Sequence, residues 1–258
     1  MKTVVIDGKA LEYVRLPSAH PREGAPPLVF LHEGLGSISL WRDFPQRLSD
    51  ATGCEAVVFS RAGYGRSDPE LGSRGVDYMH TQGLQVLPAF LEALDLVRPI
   101  LFGHSDGGSI ALICAGGTPT PLTGIVVVAP HVRVEEITLA GIREAGIAYA
   151  QTDLPHRLGR HHRDVNRVFQ AWYQIWLDPA FRDWNIESYL PTIRCPVLAI
   201  QGEDDEYGTL DQIERIAQGA EDVDLVKLAD CRHSPHKDQA EAVIAATQAF
   251  VERLIEED

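Results

Sequence analysis

Short, unbroken apolar runs bounded by turn residues recur along this chain, and they constrain its fold more than any other feature. They lie at residues 27–31 (PLVFL), 56–59 (AVVF), 99–102 (PILF), 124–129 (GIVVVA) and 196–200 (PVLAI), with a more polar run at 224–228 (DLVKL). Alternation would mark strands with one wet face; continuity marks strands covered on both faces, as in a mainly parallel sheet. Parallel neighbours need crossover connections, and the gaps carry helical periodicity at 78–94, 105–114 and 239–255. Strands alternating with helices predict a doubly wound α/β sheet. Two weaker strands, 3–6 and 11–16, are predicted to form a hairpin around Asp7-Gly8, a dipeptide suited to a tight turn.

One interval breaks the rhythm. Residues 131–190 offer no convincing strand; 134–150 and 165–177 read as helices, separated by Pro155 and a basic cluster, with shorter pieces at 179–183 and 186–190. Sixty mostly helical residues between two buried strands predict an inserted helical cap (131–190) on a body built from 1–130 and 191–258. The cap holds seven Arg and eight acidic residues, so nearly all of the formal charge of −14 belongs to the body. With 37 acidic against 23 basic residues, the chain lacks the basic face a nucleic-acid or anionic-membrane partner requires. Residues 1–10 lack the apolar stretch of a signal peptide, and no window approaches the ~18 apolar residues of a membrane span. Cys54, Cys114, Cys195 and Cys231 are scattered without a CxxC pair. Isolated thiols suit a reducing cytosol, so a cytoplasmic protein without a disulfide framework is expected, as monomer or homodimer.

The chemistry concentrates at Gly103-His104-Ser105-Asp106-Gly107, which follows one apolar run and precedes a helical segment. This is the strand–turn–helix setting of a G-x-S-x-G nucleophile elbow. The turn lifts the serine hydroxyl above the sheet edge, and the glycines let strand and helix approach. The next amide, Asp106 N–H, is placed to face a developing oxyanion. A serine hydroxyl needs a base, and the base an orienting acid. After the run at 196–200 comes Gln201-Gly202-Glu203-Asp204-Asp205; after 224–228 comes Ala229-Asp230-Cys231-Arg232-His233-Ser234. Acid and histidine thus each follow a strand's carboxyl end, where open α/β sheets place their sites.

With these motifs the chain resembles the α/β-hydrolase superfamily over essentially its whole length. Leu31-His32-Glu33-Gly34-Leu35-Gly36 is similar to the family's "HG" oxyanion loop, and Arg61-Ala62-Gly63-Tyr64-Gly65-Arg66-Ser67-Asp68 to its "RGxGxSd" loop. The resemblance implies an α/β-hydrolase fold with an eight-stranded, mainly parallel sheet. It implies a Ser105–His233–Asp205 triad: the family's acid falls three residues after the loop glycine, favouring Asp205 over Asp204, and its histidine opens the segment, favouring His233 over His236. Where the family has glycine after the loop histidine, this chain has Glu33. Trp41 keeps the family's distance from His32, so Glu33 aligns with that glycine and the oxyanion N–H falls to Gly34. Glu33 either faces the pocket or points away to cap or pair with an arginine. The chain looks most like capped small-substrate members such as pimeloyl-carrier-protein methyl esterases, aminoacrylate hydrolases and C–C bond hydrolases. The resemblance thus implies a cofactor-free, metal-free hydrolase of a small ester or thioester, the alternatives being a C–C hydrolase or a ligand receptor with slow or no turnover. Ser105, rather than Asp, at the elbow disfavours dehalogenase and epoxide-hydrolase chemistry.

In the cap, Trp172 and Trp176 are four apart and share a helix face. They either roof an acyl pocket or seat the cap on the body. Residues 156–163 (HRLGRHHR) form the one notable cationic patch, either steering a carboxylate or phosphate or making a solvated connection. Adjacent His161 and His162, with no carboxylate at ligand spacing, do not resemble a metal site.

Overall fold

The protein's computed structural model describes residues 1–256; residues 257–258, the end of the expected body, lie outside the described residues. Each apolar run forms a strand. After β1 (Lys2–Ile6) and β2 (Lys9–Leu16) come β3 (Leu28–Leu31), β4 (Ala56–Phe59), β5 (Ile100–His104), β6 (Gly124–Val128), β7 (Val197–Gly202) and β8 (Val223–Leu228). They make one eight-stranded sheet in the order β1-β2-β4-β3-β5-β6-β7-β8. β1 and β2 pair antiparallel, as do β2 and β4, and all other pairs are parallel. The hairpin turns on Asp7 and Gly8, with φ of 47° and 76°. A type I′ turn demands positive φ at both central residues, which Asp and Gly tolerate.

The helices are α1 (Phe44–Thr52), α2 (Tyr78–Thr81), α3 (Leu87–Ala93), α4 (Asp106–Gly117), α5 (Glu136–Gln151), α6 (Leu154–Gly159), α7 (Val165–Leu177), α8 (Asp211–Gly219), α9 (Pro235–Asp238) and α10 (Ala240–Glu256). Successive residues of β3 serve opposite cores. Leu28 and Phe30 pack with Trp41, Phe44 and Leu48 near α1 and with Phe250 of α10, whereas Val29 and Leu31 join the core with Leu112 and Phe90. The sheet is therefore covered on both faces, the reason its central strands read as unbroken apolar runs. β8 is the exception. At the sheet edge it carries Asp224 and Lys227 in exposed positions, charges that discourage pairing with another chain's edge.

The helix expected over 78–94 is interrupted: α2 and α3 are joined by a π turn over Gln82–Val86. Pro88 lacks the N–H that would bond to Leu84, and its ring crowds that carbonyl, so the ladder shifts register just before it. Helices α1 and α8 fall outside the predicted segments. Their buried faces pair only two large apolar residues each, Phe44 with Leu48 and Ile213 with Ile216, alongside Pro45, Ser49, Thr52 and Gln212, so the apolar periodicity is short. Residues 131–190 contribute no strand to the sheet, only an isolated bridge between Arg133 and Asn185. No described helix is long and apolar enough to cross a membrane.

Candidate active site

The chain turns sharply where β5 meets α4. Ser105 sits at φ 52°, ψ −118°, a conformation rare for any residue with a side chain and costing about 1–3 kcal/mol. Its neighbours show why glycine brackets it. A Cβ on Gly107 would strike Leu31 O, and one on Gly103 would strike Gly107 O. Gly107→Ala is therefore expected to destabilise the fold by about 1–3 kcal/mol through overpacking, read as a lower denaturation midpoint.

Two other strand ends converge on this serine. Asp205 follows β7 and His233 follows β8. His233 Nδ1–H donates to Asp205 Oδ1 at 2.8 Å and Oδ2 at 2.9 Å, and its Nε2 lies 3.0 Å from Ser105 Oγ. Asp205 is buried and is held in turn by Tyr207 N, Gly208 N and Gln201 Nε2 at 2.8, 3.2 and 3.1 Å. Asp204 is exposed, and its backbone N–H bonds to Cys231 O. His236 is buried against Trp41 and Phe44. It is His233 that reaches Ser105.

Burial alone would raise the Asp205 pKa, but the His233 charge and hydrogen bond, with the Tyr207 amide, outweigh it and hold the carboxyl below its usual range. Burial would likewise depress His233; Asp205 overcomes it, helped by the charges of Glu206 and Glu33, and the imidazole is held above the ordinary histidine range. A base must be neutral to accept a proton. kcat/KM is therefore expected to rise with pH through an apparent pKa above the ordinary ~6.5. Because Glu33 contributes to that elevation, Glu33→Gln is expected to move this limb toward acid, which a pH–rate profile checks.

Glu33 and Gly34, Ser105 and Asp106, Trp172 and Trp176, and His233 all line one cavity of about 220 Å³. That is below the roughly 300–1,000 Å³ of drug-sized sites, so a compact group fits. The loop after β3 is fixed through its carbonyls. Arg61 Nη2 donates to His32 O (3.2 Å) and Glu33 O (2.9 Å), Tyr64 OH to Gly34 O (3.0 Å), and His162 Nε2–H to Leu35 O (2.8 Å). With four successive carbonyls occupied, the peptide planes cannot rotate. Neither Gly34 N nor Asp106 N donates a hydrogen bond to another described residue. Asp106 closes the lock from below: its carboxylate accepts from Tyr78 OH (2.9 Å) and lies 3.8 Å from Arg61 Nη2, both ions buried.

Glu33 combines features of the two expected placements: it lines the cavity, and its Oε2 caps the backbone by accepting from Leu35 N. Both tryptophans line the cavity. Trp172 lies against Gly34, where any Cβ would strike the indole, and lines the cavity. Trp176 lines it too while packing edge-on to Phe181 and Trp184. The basic cluster divides. His162 is buried and ties the segment after α6 to the loops after β3 and β4, accepting from Gly65 N (3.0 Å) as well as donating to Leu35 O. Arg157 pairs with Asp153 at 3.2 Å.

Several cavity residues escape a reading of the sequence. His131 lies beyond β6, its ring 5.8 Å from that of His233; burial, reinforced by the His233 charge, pushes it down to about 4, so it remains neutral. Tyr207 stands 4.8 Å from the His233 ring and is pushed up to about 12 by burial and by Glu206 and Glu33. Position after a β-strand was the one available signal for His131; Tyr207 follows the acid in a loop with no pattern of its own.

The chain matches the alpha/beta hydrolase family over residues 28–246. It is 29% identical over 155 residues to the 2-succinyl-6-hydroxy-2,4-cyclohexadiene-1-carboxylate synthase of Enterobacter sp. (strain 638), a match covering 59% of this chain and 54% of that protein. It thus spans about half the length of the curated relatives it matches. Among solved structures it is similar to a proline iminopeptidase from Mycobacterium smegmatis (TM-score 0.79, 19% identity, 100% of this chain and 99% of that one). It is also similar to an enol-lactonase from Burkholderia xenovorans LB400 (TM-score 0.75, 18% identity, 97% and 100%). At these identities the two structures speak for the fold, and together with the family match they establish that the chain belongs to the alpha/beta hydrolase family.

Proposed function

We propose that this protein is a serine hydrolase that cleaves a small carboxylic ester or thioester through an acyl-enzyme on Ser105. The observation that carries the reading is the unbroken line from Asp205 through His233 to Ser105, at 2.8 and 3.0 Å, opening into a cavity beside two free amides. In the first step Ser105 Oγ bonds to the substrate carbonyl carbon while its proton passes to His233 Nε2. The carbonyl electron pair moves onto oxygen, where Gly34 N–H and Asp106 N–H receive it; one such donor is worth about 3–4 kcal/mol in the transition state. Asp205 stabilises the imidazolium. Collapse of the intermediate breaks the bond to the leaving group, which departs with the His233 proton. Water then attacks the acyl-enzyme, giving its proton to His233, and the carboxylic acid leaves as Ser105 recovers its proton.

In this reading residues 131–190 act as a cap: Trp172, Trp176 and Leu158 wall the cavity, and the His162 clamp seats the segment. Glu33, Trp172 and Trp176 contact the acyl group. No step calls on a metal or organic cofactor. The test is a panel of p-nitrophenyl esters, acyl thioesters and vinylogous diketones assayed with wild type and Ser105→Ala. Ser105-dependent turnover of esters or thioesters is expected. Turnover of diketones alone would identify a C–C hydrolase, and none at all would identify a binding protein.

A further inference from the structure

The rim of the cavity has a polarity opposite to that of the protein. The chain carries a net charge of −14, yet exposed Lys237 lines the cavity, exposed Arg66, Arg160 and Arg163 line a cleft beside it, and exposed Arg42 acts on His161 of that cleft; none of the five forms an ion pair with a described residue. Acids are at hand but directed elsewhere: Asp153 pairs with Arg157 and Asp164 with Arg167. Arg66, Arg160 and Arg163 line a surface cleft of about 440 Å³ that adjoins the catalytic cavity. The two spaces lie on adjoining stretches of chain. Leu158 and Leu40 face the cavity, while their chain neighbours Gly159 and Ser39 face the cleft. His161 ties the two stretches together on the cleft side, its Nδ1 2.8 Å from Ser39 Oγ. After burial, the influences depressing the His161 pKa are the charges of Arg160, Arg42 and Lys237, so these cations converge on one place. Arg42 is held there at φ 56°, ψ −128°, as unusual a backbone as that of Ser105. The cleft's carboxylate, Glu12, is buried and already accepts from Ser60 Oγ (2.7 Å) and Arg66 N (2.9 Å). Deeper in the cavity the balance changes: beyond Lys237 its wall carries the Glu33 and Asp106 carboxylates and the neutral His131.

We propose that this rim is an anion-docking surface for the part of the substrate that stays outside the cavity. The enzyme takes a compact, uncharged acyl group whose leaving group bears phosphate or carboxylate, and it disfavours acyl groups that are themselves anionic. The proposal rests on the hydrolase reading and names its substrate class. Cations grouped at a mouth raise the local concentration of an oppositely charged substrate, an effect that salt screens.

Three thioesters sharing a butyryl group test it: those of N-acetylcysteamine (neutral), thioglycolate (carboxylate) and coenzyme A (phosphates). In the charge-reversed variant Arg42→Glu/Arg160→Glu/Arg163→Glu, kcat/KM for the anionic thioesters is expected to fall by about tenfold or more, and that for the neutral one to hold within about twofold. The salt dependence seen only with anionic substrates should disappear with it. A loss confined to the coenzyme A ester assigns the rim to phosphate; a loss shared with thioglycolate extends it to carboxylate. Equal effects on all three thioesters, or none on the anionic pair, would overturn the proposal. If no thioester is turned over, Ser105-dependent activity on p-nitrophenyl esters decides the hydrolase reading separately. Coenzyme A titrated into Ser105→Ala at low salt then decides the docking surface: binding weakened by charge reversal supports it, and unchanged or undetectable binding refutes it.

Discussion

Replacing Ser105 with alanine is expected to lower kcat for any ester or thioester by about 10⁴–10⁶-fold, with little change in KM or in the thermal midpoint. On the proposed mechanism the serine's contribution is chemical. Its hydroxyl would make the bond to the carbonyl carbon, and its one side-chain partner among the described residues is His233 Nε2 at 3.0 Å. The backbone bonds that shape the elbow, Ser105 N to Val128 O at 2.9 Å and Ser109 N to Ser105 O at 3.0 Å, do not involve the side chain. Alanine meets the same φ of 52° with the same Cβ, so the strain is unchanged. Steady-state kinetics beside a melting curve separates this outcome from misfolding; activity within tenfold of wild type would show that another group is the nucleophile.

Asp205→Asn is expected to lower kcat by about 10⁴-fold, whereas Asp204→Asn one residue earlier should leave it nearly unchanged. An asparagine amide facing His233 Nδ1 favours a proton on Nε2, the wrong tautomer for taking the Ser105 proton. Asp204, exposed and remote from the histidine's hydrogen bonds, has no such lever. The pair also leaves a thermodynamic signature. Asp205's depressed pKa contributes stability above the ordinary aspartate value near 3.9, lost as pH falls through the folded-state value. His233's raised pKa contributes stability below the ordinary histidine value near 6.5, lost as pH rises through its folded-state value. Wild type should therefore gain most from the pair between about pH 4 and 6.5, and Asp205→Asn should flatten that window in denaturation curves taken across pH.

The sheet and the elbow are legible in the sequence for the same reason: both are local. A strand covered on both faces must be apolar throughout, as at Val29-Phe30, and a nucleophile elbow must put glycine where Gly107 meets Leu31 O. Acid and histidine are legible to the level of their loops, and single residues emerge only from family spacing, because Asp204 and Asp205 differ in which way a turn directs them. What stays hidden depends on distant partners. His162 reads as part of a basic patch, yet it is buried by its bonds to Gly65 and Leu35. Ser49 and Gln212 are polar residues on buried helix faces, and beside them the apolar stripes of α1 and α8 shrink to Phe44 and Leu48 and to Ile213 and Ile216, too short a signal to mark a helix in the sequence. Arg61 matches a loop motif, but nothing in that motif tells that its guanidinium holds the carbonyls of His32 and Glu33.

Intact-protein mass spectrometry after exposure to a fluorophosphonate tests the central claim most directly. One adduct per chain is expected, mapping by peptide fragmentation to Ser105, forming more slowly in Asp205→Asn and absent in Ser105→Ala. An adduct that persists in Ser105→Ala, or a folded wild type that takes up no probe, would contradict the assignment of Ser105 as the activated nucleophile.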